Sequence, residues 1–390
     1  MPRPWRCPCR SPVRSDATPA WMRLLGCGLL AVHASAAWAD PELTTEKTID
    51  EARARPVAVT ESGNWVTVPI PVANPTVGNG LQVAVLYLHP QAAGQDRAPA
   101  TTSGMVAMGT DRKTRLLGAF HDGSLANDRY RISAFGGFGD FNLRYYGTGG
   151  QSPFADNPVP YQVEGALVQL RAEARLPGTE HWFAGATYQY LNSTLTLQAS
   201  QVLPGLSDLP ADFTSGGFGP HVSFDTRDSN YFPRSGQRLR IGWLNYGPAW
   251  GGDFSFNKVD AFYNHYLPFG DASVLALRMR FQAASDDTPF LFLPVLDMRG
   301  FSRDRYRDNR SVSLTAEWRH KFAARWGFAA YGEAGRVAST LEELAHARTI
   351  ATVGAGVRWQ ATADRDLHLG IDVAVSTDDQ ALFIQIGERF

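Results

Sequence analysis

The segment Asp297–Arg310, DMRGFSRDRYRDNR, packs five arginines and three aspartates into one short run. Guanidinium and carboxylate groups at this density do not make or break covalent bonds by themselves. What they can do is clamp. A planar guanidinium donates two parallel hydrogen bonds to a carboxylate, which fixes direction as well as proximity. Two downstream carboxylates, Glu317 and Glu333, sit at polar positions of alternating stretches. Bond-making chemistry finds less support. The sequence has no G-x-S-x-G, H-E-x-x-H or P-loop string. His89, His121, His181, His221, His265, His320, His346 and His368 each fall in a different segment. A Ser–His pair across neighbouring strands remains open. Cys7, Cys9 and Cys27 all lie near the N-terminus, so no cysteine-bound metal or internal disulfide is expected beyond them. The expectation is a chain that is not an enzyme, with no cofactor and no metal.

The stretches that flank this run alternate with a period of two. Leu275, Leu277, Met279, Phe281 and Ala283 oppose Arg278, Arg280 and Gln282. Val312, Leu314, Ala316, Trp318 and Phe322 oppose Ser311, Ser313, Thr315, Glu317, Arg319 and Lys321. Val353, Val357 and Trp359 oppose Thr352, Arg358 and Gln360, and Leu367, Leu369, Ile371, Val373 and Val375 oppose His368, Asp372 and Ser376. A soluble β-sandwich also alternates. Here the strands are long, and Trp318, Trp326 and Trp359 sit near strand ends, as an interfacial girdle places them. An open sheet edge cannot sit in hydrocarbon, so closure is required. The pattern predicts an all-β, transmembrane antiparallel β-barrel of about sixteen strands between Gly80 and Phe390. The stretch GNWVTVPIPVANPTVGNG (63–80) introduces the first strand, and an alternating strand Ala381–Phe390 ends the barrel. Connections come in two sizes. Leu267–Asp271 and Ala323–Arg325 are short, whereas Asp286–Asn309 is long and is expected on the external side.

The formal net charge of −1 argues against a nucleic-acid partner. Residues 22–39, MRLLGCGLLAVHASAAWA, read as a secretory signal cut before Asp40, with Met22 as an alternative start. The domain expectation is a signal at 1–39, a short periplasmic leader at 40–62 with a helix over Thr45–Arg55, and a barrel at 63–390. No segment reaches the roughly 18 apolar residues of a membrane-spanning helix.

Four strings in order then resemble the bacterial surface antigen family, the BamA/TamA-type superfamily of outer-membrane assembly and secretion barrels. FDTRDSNYFPRSG (224–236) is similar to its hairpin signature, carried by Asp225, Arg227, Asp228, Pro233 and Gly236. MRGF, that is Met298, Arg299, Gly300 and Phe301, resembles the tip of its inward-folded long loop. YGEAG (331–335) resembles its wall motif through Tyr331, Glu333 and Gly335, with glutamate where aspartate is usual. IGERF (386–390) resembles its terminal assembly signal through Ile386, Gly387 and Phe390.

The resemblance implies that the long external loop turns into the lumen and that Arg299 meets Glu333, Glu317 or both. An ordinary hydrated lumenal carboxylate is the alternative for Glu333. Arg303, Asp304, Arg305, Arg307 and Asp308 are expected in external solvent, where ion pairs contribute about 0–1 kcal/mol each. Inward Lys258, Arg278, Arg280, Arg319, Lys321 and Arg358 either line a cationic lumen or are matched by Asp260, Glu317, Glu333 and Asp372. The implied function is insertion or translocation of polypeptides at the bacterial outer membrane, through a seam near Gly78–Gly80 and Gly387. A passive pore or structural barrel is the rival. Implied partners are outer-membrane lipids, client polypeptides and a separate periplasmic protein. The last follows because 40–80 is too short for the family's polypeptide-transport-associated (POTRA) domains.

Overall fold

The computed structural model describes residues 63–90, 101–202, 207–229, 232–362, 365–386 and 388–390. The expected signal, the leader with its helix, and Gly387 lie outside the described residues.

One sixteen-stranded sheet forms the structure, each strand antiparallel to its chain neighbours. The first half comprises β1 (Asn64–Asn74), β2 (Gly78–Leu88), β3 (Thr102–Thr110), β4 (Arg115–Leu125), β5 (Tyr130–Tyr145), β6 (Val159–Arg175), β7 (Trp182–Leu197) and β8 (Leu209–Asp225). The second half comprises β9 (Gly236–Tyr246), β10 (Phe256–Phe269), β11 (Ser273–Ala284), β12 (Arg310–Lys321), β13 (Trp326–Ala338), β14 (Ile350–Thr362), β15 (Arg365–Ser376) and β16 (Gln380–Ile386). The sheet curls until β1 lies beside β16, but among the described residues no ladder joins them. The result is a nearly closed barrel with an unsealed seam.

Two boundaries differ from the sequence reading. The first strand precedes Gly80, and Gly78–Gly80 open the second strand, so the seam runs along Asn64–Asn74. The last strand stops at Ile386, and Phe390 packs inside against Tyr266, Val274 and Ala276. Had the strand continued, its alternation from inward Phe383 would have aimed the Glu388 carboxylate at the apolar outer face.

The two faces are inverted relative to a soluble protein. On β12, β14 and β15 the outward residues are Leu314, Trp318, Val353, Val357, Ile371 and Val373, with Val353 66% exposed. The inward residues of the same strands are buried Ser313, Thr315, Glu317, Arg319, Thr352, Arg358 and Asp372. This suits a barrel wall facing hydrocarbon. The opposite side of the lumen is different. Inward residues of β1 to β10 include Leu86, Phe120, Phe135, Phe141, Tyr161, Leu167, Leu244 and Phe256, which form one apolar cluster. The lumen therefore has an apolar wall and a charged wall.

Strand alternation places the start of β1 and the end of β16 at one rim, with most short turns, including 270–272 and 322–325. The connection 285–309 starts from the other rim and folds inward. Two connections at the short-turn rim, 89–101 and 226–235, are longer than the two-size rule expects. The second reaches across the mouth, where Phe232 lies on His368 of β15 at 4.2 Å between rings.

Candidate functional site

The inward connection is drawn in by its own apolar residues. Leu291 and Phe292 join the apolar wall, with Phe292 5.3 Å from Phe256 and 6.0 Å from Tyr246 between rings. Leu296, Met298, Phe301 and Tyr306 then pack on Val337 of β13 and Ile350 of β14. Gly335 makes this approach feasible. A Cβ there would meet Leu296 Cδ1 at 2.5 Å, the Val312 carbonyl oxygen at 2.7 Å and Met298 sulfur at 2.9 Å.

Between those contacts Arg299 is 1% exposed. Its Nε donates to Glu333 Oε1 at 2.9 Å and its backbone N–H to Glu333 Oε2 at 2.6 Å. One terminal nitrogen donates to Glu317 Oε2 at 2.7 Å and to Asp372 Oδ2 at 3.2 Å. The guanidinium carbon lies 3.2 Å from the centre of the Tyr331 ring, a cation–π contact in a desolvated setting. The chain direction is fixed by Thr352, whose hydroxyl donates to the Arg299 carbonyl at 2.9 Å. Gly300 follows with φ +95°, a left-handed conformation that strains any side chain.

The pairings continue into a closed circuit. Glu317 also accepts from Arg319 Nε at 2.7 Å, and Arg319 lies 3.5 Å from Glu388. Glu388 accepts from Arg358 Nε at 3.1 Å, and Arg358 pairs with Asp372, which returns to Arg299. With Glu333, three guanidiniums face four carboxylates, an excess of one negative charge. Such a circuit is costly to desolvate and costly to break, so its value lies in fixing one geometry.

Further contacts tie in Asp297 and the last described residues. Asp297 accepts from Arg389 at 2.8 Å and Arg280 at 3.2 Å, and lies 3.5 Å from Arg278. Burial would raise the Asp297 carboxyl, but Arg389, Arg280 and Arg278 hold it well below the usual carboxylate range. Arg319 Nη2 also donates to the Phe390 carbonyl oxygen at 3.1 Å.

Of the inward cations and acids named from sequence, Arg280 pairs with Asp260, Arg319 with Glu317, and Arg358 with Asp372. Lys321 donates to Gln360 at 3.3 Å.

The expectation that the rest of the loop is solvated is overturned. Asp304, Arg307 and Asp308 are buried, and Arg307 pairs with Asp304 at 2.6 Å while donating to the Phe290 carbonyl at 3.1 Å. Arg303 and Arg305 are half-buried. The apolar residues ahead of the charged run carry all of it inside, so its charges must pair with each other and with the wall.

The hairpin motif forms a turn between β8 and β9 with its own hydrogen bonds. Arg227 donates to both Asp225 oxygens, at 3.0 and 2.8 Å, and Asp228 Oδ1 accepts from the backbone of Arg234 at 2.9 Å and Ser235 at 3.2 Å. Pro233 lies in this turn, and Gly236 closes it with φ +98°. Phe232 meets the Arg299 circuit at Arg319, 5.8 Å from ring centre to guanidinium. Ile386 ends β16.

Sequence reasoning missed Glu388, Arg389 and Asp297 as members of the network. A glutamate and an arginine flanking the lipid and lumen faces of a supposed final strand were a readable signal for the first two.

A sixteen-stranded antiparallel barrel with an inward loop pinned by a buried arginine and an unsealed seam between its first and last strands defines a class of outer-membrane-type β-barrel. Residues 155–390 match the Omp85 superfamily domain, and the chain belongs to that superfamily. No curated protein matches the chain in sequence. Among solved structures, BamA from Haemophilus ducreyi lacking POTRA domains 1-3 is similar with a TM-score of 0.55 at 14% identity, over 84% of this chain and 70% of that one. CdiB from Escherichia coli is similar with a TM-score of 0.56 at 12% identity, over 85% of this chain and 63% of that one. CdiB from Acinetobacter baumannii has a TM-score of 0.54 at 10% identity, over 85% and 60%. The chain thus spans less than two thirds of either CdiB chain. These likenesses concern the fold.

Proposed function

We propose that this barrel resides in the bacterial outer membrane and assists the insertion or passage of polypeptides, with its seam as the moving part. The observation that carries the reading is the seam itself. Every other strand pair is zipped by a ladder, whereas β1 and β16 have none among the described residues. Unpaired strand edges are templates for another chain. Family membership supports the same reading. The filled lumen weighs against a passive pore, because the inward loop packs on both the apolar and the charged wall. Export by a signal at 1–39 and a partner bearing periplasmic recognition domains complete the proposal.

The test is reconstitution. The mature protein is expected in the outer-membrane fraction, migrating faster on a gel before boiling than after. In liposomes it is expected to speed insertion or passage of a barrel client, measured with several clients. Steady conductance with no effect on any client would favour the pore. Co-purification with a protein carrying periplasmic recognition domains checks the partner.

A further inference from the structure

The seam lacks a backbone ladder, yet its two edges are not left to themselves at the rim from which the long loop enters. At that rim β1 turns into β2 through 75–77, and β15 turns into β16 through 377–379. The loop residues just after Arg299 bond to both turns. On the first side, Ser302 Oγ donates to Thr76 Oγ1 at 3.2 Å, and the Arg303 backbone N–H donates to the same oxygen at 2.9 Å. On the second side, Ser376 Oγ donates to the Gly300 carbonyl at 3.2 Å, Tyr306 donates its hydroxyl hydrogen to Asp378, and Arg305 lies 3.6 Å from Asp379. Arg348, from the connection between β13 and β14, braces Asp378 from outside at 2.6 Å.

We infer that Gly300–Tyr306 is a clasp that holds the two sides of the seam together at this rim, in place of the missing strand pairing. Three features support this. Thr76, Ser302 and Ser376 are buried, so their hydrogen bonds do not compete freely with water. The clasp starts at a rigid root, since Arg299 is fixed in the charged circuit and Gly300 is pressed against the wall. A Cβ on Gly300 would meet Thr352 Cγ2 at 2.9 Å and Ser376 Cβ at 3.1 Å. The bonds on the two sides come from different residues, so the segment spans the gap rather than decorating one edge. It follows that the seam cannot part at this rim while 300–306 stays bonded to both turns. The clasp rests on the seam geometry and not on polypeptide handling.

The test measures the gap directly. Cys7, Cys9 and Cys27, the only cysteines, are replaced by serine, and spin labels are placed at Pro75→Cys and Gln380→Cys. The distance across the seam is read by pulsed electron paramagnetic resonance in liposomes without any client. Thr76→Val releases one side, and Tyr306→Phe combined with Ser376→Ala and Asp379→Asn releases the other. Each variant is scored only if its gel migration before boiling matches that of the parent, and each is conservative enough to stand in for the other. The expected result is a longer, broader distance distribution, displaced by about one strand spacing of ~4.8 Å. A distribution unchanged from the parent in both folded variants overturns the clasp. Because no client is present, that outcome is separate from failure of the insertion assay, which bears on the proposed function alone.

Discussion

Arg299→Ala removes the one cation that Glu333, Glu317 and Asp372 share. Glu317 keeps Arg319 and Asp372 keeps Arg358, but Glu333 loses its ion-pair partner while staying buried. The excess negative charge of the circuit grows by one. Breaking a buried pair by removing one member costs about 3–5 kcal/mol. Arg299 and these carboxylates are buried almost completely, so little discount for hydration applies. At 1.36 kcal/mol per tenfold, local opening of the loop should rise by roughly 10²- to 10³-fold or more. Arg299→Lys keeps the charge but cannot reach Glu333 and Glu317 with two fixed prongs or lie flat on Tyr331, so it should recover little of the loss. Hydrogen exchange of backbone amides in 297–308, on protein in liposomes, measures that opening. Unchanged protection in Arg299→Ala, with gel migration intact, would refute the view that this arginine pins the loop.

Three other outcomes are expected. Gly335→Ala should force the loop off the wall, because the new methyl meets Leu296 Cδ1 at 2.5 Å and Met298 sulfur at 2.9 Å, and it should cost about 1–3 kcal/mol in urea unfolding. Asp297 has a folded pKa far below its ordinary value, so its contribution is present above the ordinary value near 3.8 and is lost only as pH falls through the depressed one. Asp297→Asn should therefore reduce the protease resistance of the loop, relative to the parent, by the same factor at pH 7 and at pH 4. In planar bilayers the parent should show little steady conductance and a variant lacking 286–308 a large one; a parent that conducts steadily contradicts the filled lumen.

Strands β11, β12, β14 and β15 were readable because their inward residues are polar, as at Arg280, Glu317, Arg358 and Asp372. Strands β4, β5 and β6 were not, because Phe120, Phe135 and Leu167 point inward while Leu117, Phe138 and Val168 point outward. With apolar residues on both faces, period two leaves no polarity contrast. The same wall explains the error about the loop. A run dense in arginine and aspartate reads as solvated, and Pro289–Leu296 reads only as too short to span a membrane. Their joint meaning appears once the apolar wall is known.

The order of residues along the inward connection matches the order of surfaces it meets. Phe290, Leu291 and Phe292 come first and meet the apolar wall; Asp297, Arg299, Asp304 and Arg307 follow and pair inside the lumen. A loop with only apolar residues could slide on its wall, since such contacts are not directional. A loop with only charges would lack the burial that offsets desolvation. Together they set depth and register: hydrophobic burial draws the chain in, and the two-pronged contact of Arg299 decides where it stops. The charged anchor lies next to Gly300 and the bonds to both seam turns, whereas the apolar anchor lies on the far side of the lumen. Releasing Arg299 would therefore free the seam side of the loop while Phe292 stays seated. Motion of the seam then does not require emptying the barrel, and the conductance of Arg299→Ala should stay far below that of the loop deletion.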